Sequence, residues 1–244
     1  MSDPRRYYPP VTEHELPEHV ARNRVYWDEV NAPLYAAPGA RAWARQEITW
    51  GTFGIPEDEL HALPADLAGM DVVELGCGTA YFGARLARRG AHVIGIDNSA
   101  EQLKTARRLQ DEHDLHFPLI HGNAEATGLP DASFDLAVSE YGTAIWADPH
   151  RWIPQAARIL RPGGELVFLG NGTFWVLTVL ETNDEGPAAD RLLRASGFEV
   201  LDLIDIRAPD DLDELRGDGL VDPDWARKWP AEQIWRVRRM NPVR

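Results

Sequence analysis

Glycines at positions 76 and 78, in Val73-Glu74-Leu75-Gly76-Cys77-Gly78-Thr79-Ala80, remove the side chains that would hold a ligand off the backbone. They fall where a β-branched run gives way to a helical one, and the free amides of a helix start are donors for a polar ligand. The spacing departs from the dinucleotide fingerprint, which needs a third glycine three positions after the second; position 81 is Tyr and the next glycine is Gly83. Glu74 adds a carboxylate that would crowd a pyrophosphate and suits a cationic group better. Asp97 closes the next β-branched run, Ile94-Gly95-Ile96-Asp97-Asn98, where an acid can accept both hydroxyls of a ribose.

Two further strand ends point the same way. Asn123, Ala124 and Glu125, in His121-Gly122-Asn123-Ala124-Glu125, put amide and acid groups where an adenine edge needs partners. Ser139, Glu140 and Tyr141 face the same crevice, because ligands of open α/β sheets bind beyond the carboxyl ends of the strands. Glu140, Tyr141 and His150 are the candidate catalytic groups for taking a proton from an acceptor. Tyr26, Trp27, Trp50 and Trp146 are candidates for an apolar wall around the substrate. Cys77 lacks a base beside it and is assigned backbone contact only. His14 with His19, and His113 with His116, are isolated pairs without a Cys or acid template, so no metal is expected.

The elements that must position these residues alternate. Strand-like runs at 72–75, 92–97, 117–120, 134–138 and 165–169 are separated by helical stretches, which implies right-handed crossovers and a mostly parallel sheet. A helix near 187–196, a strand at 198–206 and a last strand at 234–237 follow, with an acidic loop over 210–218. Upstream, Val20, Trp27 and Val30 share a helix face over 15–31, ended before Pro33, and the segment to 68 reads as a helical cap. Residues 1–14 read as an extended arm. The expected fold is α/β, a Rossmann-like seven-stranded mostly parallel sheet with helices on both faces. The division is 1–68 for arm and cap and 69–244 for the ligand-binding domain, compact overall.

Composition narrows the partners. Thirty-nine acids against 25 bases leave a net charge of −14, which repels a phosphate backbone, so nucleic acid is not expected. No apolar run reaches a membrane span, the start lacks a signal-peptide core, and the single Cys excludes an intramolecular disulfide. A cytoplasmic monomer or homodimer without membrane attachment is the expectation.

Taken in order, Glu74-x-Gly76-x-Gly78, Asp97, Asn123-Ala124, Phe134-Asp135-Leu136 and Arg161-Pro162-Gly163-Gly164 resemble the class I S-adenosylmethionine-dependent methyltransferases, over roughly residues 70–170. The resemblance implies S-adenosylmethionine as cofactor and S-adenosylhomocysteine as product. It implies that Glu74 and the 76–78 loop hold the methionine part, Asp97 the ribose, and Asn123 and Ala124 the adenine. Asn98 flanks the adenine and residues 139–141 border the sulfonium. The chain lacks the Asp/Asn-Pro-Pro-aromatic motif of relatives that methylate base amines, which favours a small-molecule acceptor. The short 171–187 connection leaves little room for a substrate-covering insertion there, so residues 15–60 are expected to supply most of the acceptor site. Two alternatives stand beside transfer: a cofactor-binding or regulatory protein on the same fold, and a nicotinamide-dependent oxidoreductase, against which the missing third glycine argues.

Overall fold

A computed structural model describes residues 16–172, 189–210 and 223–241. The arm at 1–14, most of the 171–187 connection and most of the 210–218 loop lie outside these residues.

Three strands start the doubly wound part. β3 (Asp71–Leu75), β4 (His92–Asp97) and β5 (Leu119–His121) pair in parallel to one side, and β6 (Phe134–Glu140) and β7 (Leu160–Asn171) to the other. The sheet order is β5-β4-β3-β6-β7-β9-β8, seven strands among the described residues. β9 (Glu232–Arg239) runs antiparallel between β7 and β8 (Phe198–Ile206). The mostly parallel α/β fold read from the sequence is the fold observed.

Period-two alternation decides which face each strand residue serves. Val72 joins the core under α4 (Tyr81–Arg88), with Phe82, Leu86 and Val138. Val73 and Leu75 join the opposite core under α7 (Pro149–Ile159), with Trp152, Ile153 and Phe168. Both faces are covered, which is why the parallel strands read as continuous apolar runs. Glu74 alternates with Val73 and Leu75, so it turns toward α4. A third cluster joins Trp43, Leu103 and Leu109 where α2 (Ala32–Trp43) and α5 (Ala100–Glu112) meet.

The Asp135 and Arg161 motif pieces staple the far edge of the sheet. Arg161 reaches Asp71 at 2.8 Å and Asp135 at 2.7 Å, and Asp71 N–H donates to Asp135 at 2.9 Å. They fix the register of β3 against β6 rather than touch a ligand.

The N-terminal region differs from the sequence reading in two ways. The helix does not stop before Pro33: α1 (Glu18–Tyr26) passes through a π-helical turn (Trp27–Asn31) directly into α2. Pro33 sits in the first turn of α2, where a missing N–H costs least. The segment to 68 is only partly helical, since β1 (Thr49–Trp50) and β2 (Ile55–Pro56) form a hairpin before the short α3 (Glu57–Leu60). Farther along, the expected strand at 117–120 is shifted to Leu119–His121, and the last strand runs well beyond 234–237. A helix, α8 (Ala189–Ala195), falls inside the expected 187–196 window, and α9 (Pro223–Lys228) precedes β9.

Candidate functional site

Strand β3 has β4 on one side and β6 on the other, so the chain reverses its winding there and leaves a crevice at the carboxyl ends. The glycine loop fills its floor. Gly76 has φ +73°, and a Cβ there would collide with Thr143 N at the start of α6 (Gly142–Trp146). Gly78, at φ +53°, donates its N–H to Asp97 Oδ2 at 2.6 Å. Asp97 Oδ1 accepts the Ser99 N–H at 2.8 Å. Each carboxylate oxygen keeps a second acceptor position toward the crevice. Burial pushes the Asp97 carboxyl upward, opposed by the amides of Ser99 and Gly78.

A cavity of roughly 600 Å³, its mouth included, opens above this loop. Gly76, Gly78, Asp97 and Asn98 line one side, and Asn123, Ala124 and Glu125 another. Asn123 Oδ1 accepts the Glu125 N–H at 2.9 Å, which fixes the turn after β5. Glu125 Oε1 accepts Asp148 N–H at 2.9 Å and faces His19 Nε2 at 2.7 Å. Its Oε2 is buried without a hydrogen-bond partner among the described residues. A buried carboxylate oxygen in a cavity wall is costly unless something donates to it.

The roof comes from α1 and the π turn. Val20, Asn23 and Trp27, at helical spacings of three and four, line the cavity. Arg24 Nε donates to Asn98 O and Oδ1 at 3.1 and 3.0 Å, and Asn98 Nδ2 to Val20 O at 3.0 Å. Ser99 Oγ donates to Asp28 Oδ1 at 2.6 Å, and Asn23 Nδ2 to Trp146 O at 2.8 Å. Trp27 meets Trp146 edge-on at 5.3 Å, and Tyr26 lies 6.1 Å from Trp146. π turns of this kind are concentrated at functional sites.

Beside the loop the sequence candidates Glu140 and Tyr141 join an acid and tyrosine network whose other members the sequence did not reveal. Tyr81 OH donates to Glu140 Oε2, and Gly51 N–H to Glu140 Oε1 at 3.0 Å. Tyr141 OH donates to Glu232 Oε1, which also accepts Thr52 N–H at 2.7 Å. Arg85 lies over the Tyr81 ring, 5.0 Å from its centre. Burial raises the Glu140 carboxyl, opposed by Tyr81, Gly51 and Arg85. Burial likewise carries Glu232 to about 7. Tyr141 holds φ +59°, a conformation that costs a non-glycine residue about 1–3 kcal/mol and clusters at working sites. Glu232, Thr52, Gly51 and Tyr81 carried no signal in the sequence, because pairings 91 and 180 residues apart bring Glu232 to Tyr141 and Thr52.

Several expected site residues lie elsewhere. Glu74 is turned under α4, where its Oε2 accepts the Gly83 N–H at 2.8 Å, and desolvation raises its carboxyl to about 8. It does not line the cavity. Cys77 packs against Gly95 and Trp43's cluster, with burial, then Asp97, pushing its thiol well above the usual range. Ser139 is buried and accepts the Ala144 N–H, so it shapes the turn into α6. Trp50 is fully buried against Phe82 with its Nε1 on Glu57, which makes it core and not substrate wall. Tyr26, Glu140, Tyr141 and His150 are not among the cavity residues; Tyr141 directly precedes Gly142 of the lining and Glu140 precedes Tyr141, whereas His150 is exposed in the first turn of α7 with its N–H capped by Asp148 Oδ1, so a catalytic part for it has no geometric support. Among the described residues no group of three or more His, Cys, Asp or Glu could hold a metal ion.

Fold and site together define the class: a doubly wound sheet whose crevice at the switch point carries a glycine loop after β3 and an acid after β4. A family model described as a methyltransferase domain matches residues 73–168, the stretch that holds the glycine loop, Asp97 and the Asn123 turn. A demethylmenaquinone methyltransferase of Listeria welshimeri is 37% identical over 102 residues, 40% of this chain and 43% of that protein. The matched stretch therefore spans less than half of that relative. A geranyl diphosphate C-methyltransferase from Streptomyces coelicolor, solved with Mg²⁺, geranyl diphosphate and S-adenosylhomocysteine, superposes with a TM-score of 0.66 at 18% identity, over 93% of this chain and 100% of that one. The 4+2 cyclase SpnF superposes with a TM-score of 0.65 at 20% identity, over 92% and 97%. At such identities the likeness is one of fold, and a methyltransferase and a cyclase share it.

Proposed function

We propose that this protein transfers a methyl group from S-adenosylmethionine to a small-molecule acceptor by in-line displacement. The observation that carries this is the cavity at the β3–β6 switch point, whose glycine loop, Asp97 and Asn123 turn offer an adenosine its ribose acceptor and its backbone approach. In this reading Gly76 and Gly78 let the methionine end lie on the loop, Asp97 accepts from the ribose hydroxyls, Asn98 flanks the base, and Asn123, Ala124 and Glu125 meet its edge. The buried, unpartnered Glu125 Oε2 is an acceptor suited to an amino group there.

The cofactor supplies an electrophilic methyl whose carbon–sulfur electron pair leaves with the sulfur. The chain's own part is alignment, exclusion of water and the proton. Glu140 takes the proton that the acceptor's O–H or N–H releases, and its raised carboxyl is better matched to that task near neutral pH than an ordinary one. Tyr141 borders the acceptor, with Trp27, Tyr26 and Trp146 forming the apolar wall. The quinone acted on by the Listeria relative makes a naphthoquinol the first acceptor to try. Residues 1–68 are then arm and cap, and 69–244 the methyltransferase domain. The reading includes a cytoplasmic monomer or homodimer working without nucleic acid, which the −14 charge supports. Among the described residues no helix is long and apolar enough to cross a membrane.

Calorimetric titration with S-adenosylmethionine and S-adenosylhomocysteine, repeated on Asp97→Ala, tests this reading. Loss of a charged hydrogen-bond acceptor predicts about ten- to hundred-fold weaker binding. Absence of binding to the wild type, or equal binding to the variant, would sink it.

A further inference from the structure

The acid and tyrosine network around Glu140 and Tyr141 contains one carboxylate that no part of the proposed chemistry uses. Glu232 is 2% exposed and comes from the last strand, outside the stretch matched by the methyltransferase domain family. Burying a carboxyl costs several kcal/mol, roughly, unless its partners compensate. Here they compensate on one oxygen only. Glu232 Oε1 accepts Tyr141 OH and Thr52 N–H, and Thr52 Oγ1 lies 3.1 Å from the same phenol oxygen. Among the described residues Glu232 Oε2 has no hydrogen-bond partner, and it lies over the α-carbon of Gly51, where a Cβ would collide with it.

Both residues it grips lead to the rest of the network. Tyr141 is held at positive φ, immediately before Gly142 and Thr143 of the cavity lining. Gly51, next to Thr52, donates to Glu140. One carboxyl thus fixes both the strand end that carries the candidate proton acceptor and the hairpin turn that binds it.

We infer that Glu232 is a positioning residue for the acceptor side of the site: it clamps the Tyr141 phenol and, through Thr52, the β1–β2 turn, so that Tyr141 and Glu140 are presented to the acceptor in one fixed arrangement. This rests on the function proposed above for Glu140 and Tyr141. The groups facing Glu232 are Tyr141 and Glu140 from the end of β6, Thr52 from the hairpin, and, behind Glu140, Tyr81 and Arg85 from α4.

The test compares wild type, Glu232→Gln, Tyr141→Phe and the double variant. Gln keeps the acceptor for Thr52, so the chain folds and S-adenosylhomocysteine affinity by calorimetry stays within about twofold. Hydrogen exchange quickens in the peptide spanning 139–146 of Glu232→Gln and not in β3 or β4. With S-adenosylmethionine and a 1,4-naphthoquinol as probes, kcat falls about tenfold or more while KM holds, and the double variant is no slower than Tyr141→Phe. Additive losses, an unchanged kcat, or loosening spread over the whole sheet would overturn the inference. If the wild type binds S-adenosylhomocysteine but leaves the quinol unmethylated, unchanged exchange at 139–146 overturns it and selective quickening upholds the clamp. If the wild type binds no adenosyl ligand, it is the proposed function that fails, and the exchange result still decides the clamp.

Discussion

Glu74 shows how one alternation step changes a residue's work. Its neighbours Val73 and Leu75 face the α7 side of the sheet, so Glu74 faces α4 and meets the Gly83 amide instead of a ligand. The acid in the motif was legible; its direction required the register of β3. Gly83 is constrained by the same contact, since a Cβ there would stand 2.6 Å from Glu74 Oε2. Desolvation raises the Glu74 carboxyl from 4.5 to about 8. The folded chain then keeps a proton that the unfolded chain gives up between those values, so stability falls as pH rises through this window. Glu232, raised to about 7, adds a slope of the same sign over a narrower window. Glu74→Gln holds its amide oxygen on Gly83 without the ionisation. Its melting temperature is expected to depend less on pH than the wild type's between pH 4.5 and about 8, and parallel curves from a calorimetric pH series would refute the assignment.

At the scale of elements, the strands and their crossovers are readable because short β-branched apolar runs alternate with stretches of helical period. Two-residue strands carry no such run, so the sequence holds no sign of the Thr49–Trp50 and Ile55–Pro56 hairpin or of the core position it gives Trp50. Pro33 does not stop the helix, because the π turn runs directly into α2, and α1 with the π turn forms the roof of the cavity. That roof is attached through few bonds. Asp28 Oδ1 alone receives both Ser99 Oγ at 2.6 Å and the Glu101 N–H at 3.2 Å. Asp28→Ala removes that latch while Arg24 still holds Asn98. Net hydrogen-bond strengths of about 0.5–1.5 kcal/mol each predict S-adenosylhomocysteine leaving about three- to tenfold faster. Stopped-flow displacement measures this, and an unchanged off-rate would mean that α1 does not gate the cavity.

For the whole molecule, what matters is that the cavity's walls come from separate stretches of the chain: α1 and the π turn above, the ends of β3 and β4 and the turn after β5 on one side, α6 on the other. Hydrogen bonds from Arg24, Asn23 and His19 already tie the roof to all three. A ligand filling the space adds contacts to each wall at once, so its binding energy counts toward the stability of the entire unit rather than of one loop. At a hundred times its dissociation constant such a ligand adds about 2.7 kcal/mol. In a chain of 244 residues that corresponds to a rise in melting temperature of about 5–10 °C. S-adenosylhomocysteine is expected to give that rise and NADH at the same concentration none, because the loop lacks the third glycine and a dinucleotide's pyrophosphate would meet no further donors there. A shift with NADH alone would make the protein an oxidoreductase of the same architecture; a shift with S-adenosylhomocysteine that Asp97→Ala abolishes would tie the adenosyl ligand to the end of β4.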